Sequence, residues 1–158
     1  MIKAHVIEHL RFALEAQLAT AQAAAKTAHD AATHEENIAE NKYDTLGLEA
    51  AYLAQGQAER VNSCHLSIVE FEKVFKEPAS NKIAIGSLVC VSDDDENLKW
   101  YFIGPLSGGL TVTIKQQLVY VLTPHSPLGM QLMNKQQEDE FSFTIANKSH
   151  QLYIEQIL

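Results

Sequence analysis

The chain has 158 residues, 46% hydrophobic and 20% charged, enough for one or two small domains with a modest core. Asp and Glu outnumber Lys and Arg by 20 to 12, and the net charge of -8 excludes nucleic-acid binding through a general cationic surface. Proteins or a metal ion are the expected partners. No apolar run reaches membrane-spanning length, and the charges scattered through the first seventeen residues do not read as a signal peptide. Cys64 and Cys90 read as two reduced thiols, and the expected location is the cytoplasm.

Up to Glu77 there is no proline and only two glycines, Gly47 and Gly56, and alanine dominates. Ile7, Leu10, Leu14, Gln17, Ala21, Ala24, Ala28 and Ala31 alternate spacings of three and four. So do Ala50, Ala54, Gln57, Val61, Cys64, Ile68, Phe71 and Phe75. Two a/d seams predict two helices packed along each other. Both seams are large toward residues 1 and 75 and small toward the middle, so only an antiparallel pairing sets large against large. The reversal falls between Ala31 and Ala50. Each arm of about 35 residues, at ~1.5 Å per residue, would reach on the order of 50 Å. So long and thin an element suggests reach as its purpose.

The tip of that hairpin gathers Glu35, Glu36, Glu40 and Asp44. Clustered carboxylates repel one another unless a cation or a basic partner is near. Composition leaves two readings open: a solvated loop, or oxygen ligands that complete a Mg²⁺ site held elsewhere. Asn41 and Tyr43 could cap or pack the second helix. His5-Val6-Ile7-Glu8-His9 has the H-x-x-E-H spacing, but a zinc centre also needs a third ligand and an enclosing cleft, so two surface histidines are the simpler expectation.

Composition changes at Glu77-Pro78-Ala79-Ser80-Asn81, which divides a helical domain, 1–77, from a second domain, 78–158. The second half alternates with period two. Strands are predicted over Ile83–Val91, Leu98–Ile103, Leu110–Ile114, Leu118–Thr123, Glu140–Ala146 and Gln151–Ile157. One short helix follows Ser126-Pro127, with Ser126 as N-cap and Pro127 at the first helical position. The fold class is α+β: a coiled-coil hairpin followed by a small antiparallel sheet with one helix packed on it. Neither cysteine has a basic neighbour to activate it, and Ser107-Gly108-Gly109 lacks the lysine of a phosphate loop. No self-contained active site is evident, and the chain is not expected to be an enzyme.

The second half carries an ordered set of motifs: Lys82-Ile-Ala-Ile-Gly86-Ser87, Ile103-Gly104-Pro105, Thr123-Pro-His-Ser126-Pro127-Leu128-Gly129, then Asn134-Lys135 with Glu138-Asp139-Glu140. In this order and spacing the chain resembles the bacterial Gre transcript-cleavage factors over nearly its whole length. The resemblance implies an FKBP-like second domain without isomerase activity. It implies a hairpin that enters the secondary channel of RNA polymerase and a second domain that docks at the channel rim through Ser126, Pro127 and Leu128. The tip carboxylates Glu36 and Glu40, supported by Glu35, Asn41, Tyr43 and Asp44, would act in the polymerase centre, which hydrolyses backtracked RNA by a two-metal mechanism. The factor would hold no cofactor of its own, since the Mg²⁺ is the polymerase's. RNA would be met only inside the complex, with no membrane and no independent nucleic-acid binding. The tip departs from the family's Asp-x-x-Glu-Asn-x-Glu-Tyr. Glu40-Asn41 matches, but the preceding acid, Glu36, lies four residues back, and Lys42 stands where the second Glu would be. A binder that inhibits polymerase without stimulating cleavage is therefore the alternative expectation.

Overall fold

The computed structural model describes residues 1–33, 45–78, 80–145 and 148–158. The tip residues Glu35, Glu36, Glu40, Asn41, Tyr43 and Asp44 thus lie outside the described residues, apart from the helix that follows them. Two long helices open the chain, α1 (Lys3–Thr33) and α2 (Thr45–Val74). Arg11 of α1 meets Glu72 of α2, so an early residue of one helix faces a late residue of the other and the pair is antiparallel. α2 ends where Phe75, Lys76 and Glu77 close turns on Phe71, Lys73 and Val74, just before Pro78 forbids another helical turn.

By internal contacts the chain divides into two compact units. One is Phe12–Ile68, the other Met1–Arg11 together with Val69–Leu158. Along α2 every predicted seam residue is covered: Ala50, Ala54, Gln57, Val61, Cys64, Ile68 and Phe75 are half-buried and Phe71 is fully buried. Along α1 the predicted series holds at Leu10, Leu14, Ala21 and Ala28. It fails at Gln17, Ala24 and Ala31, which are exposed, while Leu18, Ala25 and Ala32 are half-buried in their place. The heptad rhythm survives, but the alternate position lies one residue later, where Leu18 replaces a polar side chain with an apolar one. Val6 likewise is fully buried while Ile7 is half-covered.

The second unit is built on a six-stranded sheet: β1 (Leu88–Asp93), β2 (Leu98–Ile103), β3 (Thr111–Ile114), β4 (Gln117–Leu122), β5 (Glu140–Ile145) and β6 (Lys148–Ile157), with α3 (Pro127–Leu132) between β4 and β5. The spatial order is β3-β4-β2-β1-β6-β5. All six expected strands are present, and the first starts at Leu88 instead of Ile83, because Gly86 and Ser87 turn the chain into it. Ahead of that turn Ile83 is fully buried, and its amide and carbonyl bond Lys135 and Asn134. Neighbouring strands are antiparallel except β2 and β4, which run parallel. The loop 104–110 carries the chain past a vacant place beside β2 to the edge strand β3. The Lys115-Gln116 hairpin, with φ of 46° and 67°, then returns β4 into that place, in the direction of β2.

β1 lies between two strands and is buried on both faces, which explains its unbroken Leu88-Val89-Cys90-Val91. Val89, Val91, Ile103 and Ile154 belong with Ile83, Leu132 and Phe141 to one core, under α3. Leu88, Trp100, Phe102, Val119 and Val121 alternate to the other face, where Phe71 and Phe75 from the end of α2 bring their rings to 6.1 and 5.9 Å from that of Phe102. A Cβ on Gly104 would stand 2.7 Å from Phe71 Cζ and 2.8 Å from Val121 Cγ1, so only glycine lets the end of β2 lie this close to that cluster.

Candidate functional site

Three features could carry function: the turn that starts α3, the acidic groove beside the β1–β2 turn, and the histidines of α1. The turn is the most completely built. After β4 the carbonyl of Thr123 accepts from both the amide (3.0 Å) and the hydroxyl (2.8 Å) of Ser126. The same hydroxyl oxygen accepts from the amide of Gly129 at 3.1 Å, and the Ser126 carbonyl accepts from Met130 at 2.9 Å. Ser126 is thus the N-cap of α3, extended at φ -69° and ψ 152°, with Pro127 following as expected. Gly129 closes the turn tightly, since a Cβ there would lie 2.0 Å from the Thr123 carbonyl oxygen.

This hydrogen bonding divides the helix into two faces. Leu128 is half-buried and packs on the core that includes the fully buried Leu132, one helical turn later. Pro127 and Gln131 are exposed, as is Met130 at 60%. Of the three residues expected to bind a partner, Ser126 fixes the turn, Pro127 is presented to solvent and Leu128 mainly holds the helix down. Met130 is an exposed apolar residue outside the Ser126–Gly129 motif. The signal was available: with Leu128 and Leu132 four apart on the core side, Met130 two residues on must face away.

The acidic groove, about 590 Å³, is lined by Asp93, Asp94, Glu96, Glu138, Tyr153 and Glu155 among others. The carboxylates of Asp93, Asp94 and Glu155 are employed in the fold. Asp93 Oδ1 accepts from the amides of Asp95 (3.2 Å) and Asn97 (3.0 Å) and from the Asn97 side chain (3.0 Å). These bonds, led by the Asn97 amide, hold its carboxyl below the usual range. Asp94 accepts from the Gln151 amide at 3.0 Å, and Glu155 accepts from the Ser92 hydroxyl. Among the described residues no group of three His, Cys, Asp or Glu side chains could hold a metal.

His5 and His9 are exposed, and His9 Nδ1 lies 2.8 Å from the His5 carbonyl oxygen, an ordinary intrahelical contact. Cys64 and Cys90 are free thiols; Cys90 is buried, and burial pushes its thiol upward, away from the thiolate a nucleophile needs. Among the described residues no helix is long and apolar enough to cross a membrane.

No protein-family model matches the chain, and no curated protein matches it. Three solved structures are similar to it. The structure of GreA factor homolog 1 (Gfh1) of Thermus thermophilus shares 13% identity over 94% of each chain, with a TM-score of 0.38. A structure of the transcription factor Gfh1 shares 18% over 93% of this chain and 92% of that one, with a TM-score of 0.41. Thermus aquaticus Gfh1 shares 17% over 91% and 90%, with a TM-score of 0.39.

Proposed function

We propose that this protein is a transcription factor of the Gre type. On this reading it enters the secondary channel of bacterial RNA polymerase with its helical hairpin and stimulates the polymerase's own cleavage of backtracked RNA. The observation that carries the reading is the ordered series of motifs in residues 82–140 and where those motifs fall. Lys82–Ser87 turns into β1, Ile103-Gly104-Pro105 ends β2 where a side chain would collide, Ser126-Pro127 caps α3, and Glu138-Asp139-Glu140 leads into β5. Motifs at such positions define a fold as well as a resemblance. The two helices that precede them, of 31 and 30 residues, are long enough for a reaching element.

In this reading the chain is not itself an enzyme and keeps no cofactor. The polymerase's Mg²⁺ ions activate water and stabilise the developing charge of phosphodiester cleavage. Glu40, with Glu36, supplies acceptor oxygens to that centre, while Glu35, Asn41, Tyr43 and Asp44 shape the tip. The second domain docks at the rim of the channel through the α3 turn, where Pro127 is exposed and Ser126 keeps it in place. The protein acts in the cytoplasm, away from membranes, and meets RNA only as the backtracked 3′ end within polymerase.

Adding the protein to backtracked elongation complexes tests this directly. The native chain should shorten the RNA, and Glu40→Ala should abolish shortening while binding to core polymerase stays the same. Wild-type cleavage by the variant would rule out the tip mechanism. A second reading is favoured by the tip sequence itself, in which Glu36 is four residues from Glu40 and Lys42 replaces an acid: the protein occupies the channel and inhibits. Extension that is blocked without any shortening would select it.

A further inference from the structure

We infer that α2 opens locally at Gly56–Gln57, which gives the helical unit a soft point partway along its length. Gly56 lies in the interior of a 30-residue helix, and a Cβ placed on it would meet nothing within 4 Å among the described residues. No close approach requires a glycine there, so its backbone freedom works against the helix without a compensating contact.

The next residue adds an independent cause. Gln57 occupies a seam position, and its side-chain oxygen is buried without a hydrogen-bond partner among the described residues. A buried acceptor left unpaired is costly, and opening of the helix would return it to water.

Little apolar surface opposes that opening. The covered positions of α2 on the tip side of Gln57 are Gly47, Ala50 and Ala54, and those of α1 within the same unit pass from Leu14 and Leu18 to Ala21, Ala25, Ala28 and Ala32. Local stability follows the buried apolar contact that must be given up. On both helices, hydroxyls also bond back to the carbonyl four residues earlier, at Thr20 (2.9 Å), Thr27 (3.1 Å) and Ser63 (3.0 Å), a pattern that bends helices.

The inference concerns the free protein and does not depend on polymerase binding. Its test is hydrogen–deuterium exchange of the full chain, resolved by peptide. Residues 54–61 should exchange faster than the segments on both sides, 48–53 and 64–72. Gly56→Ala should slow that segment by about fivefold, and Gly56→Ala with Gln57→Leu by roughly tenfold or more, with 64–72 unchanged. A steady decline in exchange from residue 48 to residue 72 in the native chain would overturn the inference, because fraying from one end would then suffice. So would an unchanged profile in the Gly56→Ala protein.

Discussion

The helical unit and the sheet unit divide the work of folding unequally. Within Phe12–Ile68 the covered side chains form a narrow seam in which alanine takes over from leucine, and much of the structure is backbone hydrogen bonding within each helix. In the sheet unit β1 is buried on both faces, one sharing the core of Leu132 and α3 and the other on the side of Phe102, against which the Phe71 and Phe75 rings pack. The difference teaches where the chain tolerates change. A long helix pair can be specified by rhythm alone, with small side chains that contribute little area. A small two-faced sheet depends on a few large side chains and on glycines where neighbours press in.

Substitution at the aromatic cluster should separate the units most strongly. Phe71 is fully buried, so Phe71→Ala should cost about 3–5 kcal/mol by loss of transfer energy and the cavity left behind. Thermal unfolding followed by near-ultraviolet circular dichroism, which reports the aromatic core, would measure it. A loss below about 1 kcal/mol would show that the cluster is less essential than its burial suggests.

The α3 turn should respond at an intermediate level. Ser126→Ala removes the acceptor for the Gly129 amide, with an expected cost of about 1 kcal/mol, near the centre of the range for N-caps. Denaturant unfolding would read it as a lower midpoint with an unchanged slope. The same variant on polymerase asks whether Ser126 acts only by holding Pro127 in place. If so, Ser126→Thr, which keeps the cap oxygen, should restore both stability and binding.

The smallest effect belongs to the ion pair that joins the two helices. Arg11 bonds Glu72 through Nε and Nη2, and its guanidinium lies 5.1 Å over the Phe75 ring. Arg11 holds the Glu72 carboxyl below its ordinary value of 4.5. A carboxylate with a depressed folded pKa contributes stability that is fully present above its unfolded pKa and lost as pH falls through the folded one. Both side chains are more than a third exposed, so screening limits the contribution to under about 1 kcal/mol. Titrating stability downward from pH 6 should therefore show a small loss beginning near pH 4.5 that is missing in Arg11→Ala and weaker in high salt. An equal loss in the variant would assign it to other carboxylates.

Legibility in the sequence followed the same division. The α2 seam could be read completely, since Ala50 through Phe75 keep one period and the burial follows it. The α1 seam could not, because from Ala16 to Ala32 alanines stand on every side and composition cannot say which of them turns inward. The strands were legible from alternation and Gly-Pro punctuation. The parallel pairing of β2 with β4 was not, because it depends on which side of β2 the loop 104–110 passes. The Lys115-Gln116 turn offered no Asn-Gly or Asp-Gly signal, although it adopts the positive φ such pairs usually supply. At the α3 site, Ser126 and Pro127 were legible from capping chemistry. Met130 lies just beyond the motif that ends at Gly129, so only helical periodicity points to it. The tip carboxylates lie outside the described residues, and their proposed roles rest on sequence resemblance.

The pairing of β1 with β6 bears on the order of events while the chain is being made. Leu88 and Leu158 exchange reciprocal backbone hydrogen bonds, 3.0 and 2.9 Å, and β6 runs the length of β1. One flank of the central strand therefore stays open until the residues after Gln151 have left the ribosome, whereas both arms of the helix pair are available dozens of residues earlier. During synthesis the nascent chain therefore carries an apolar strand with one edge unpaired behind an already closable hairpin, the kind of edge that is prone to pair with other chains.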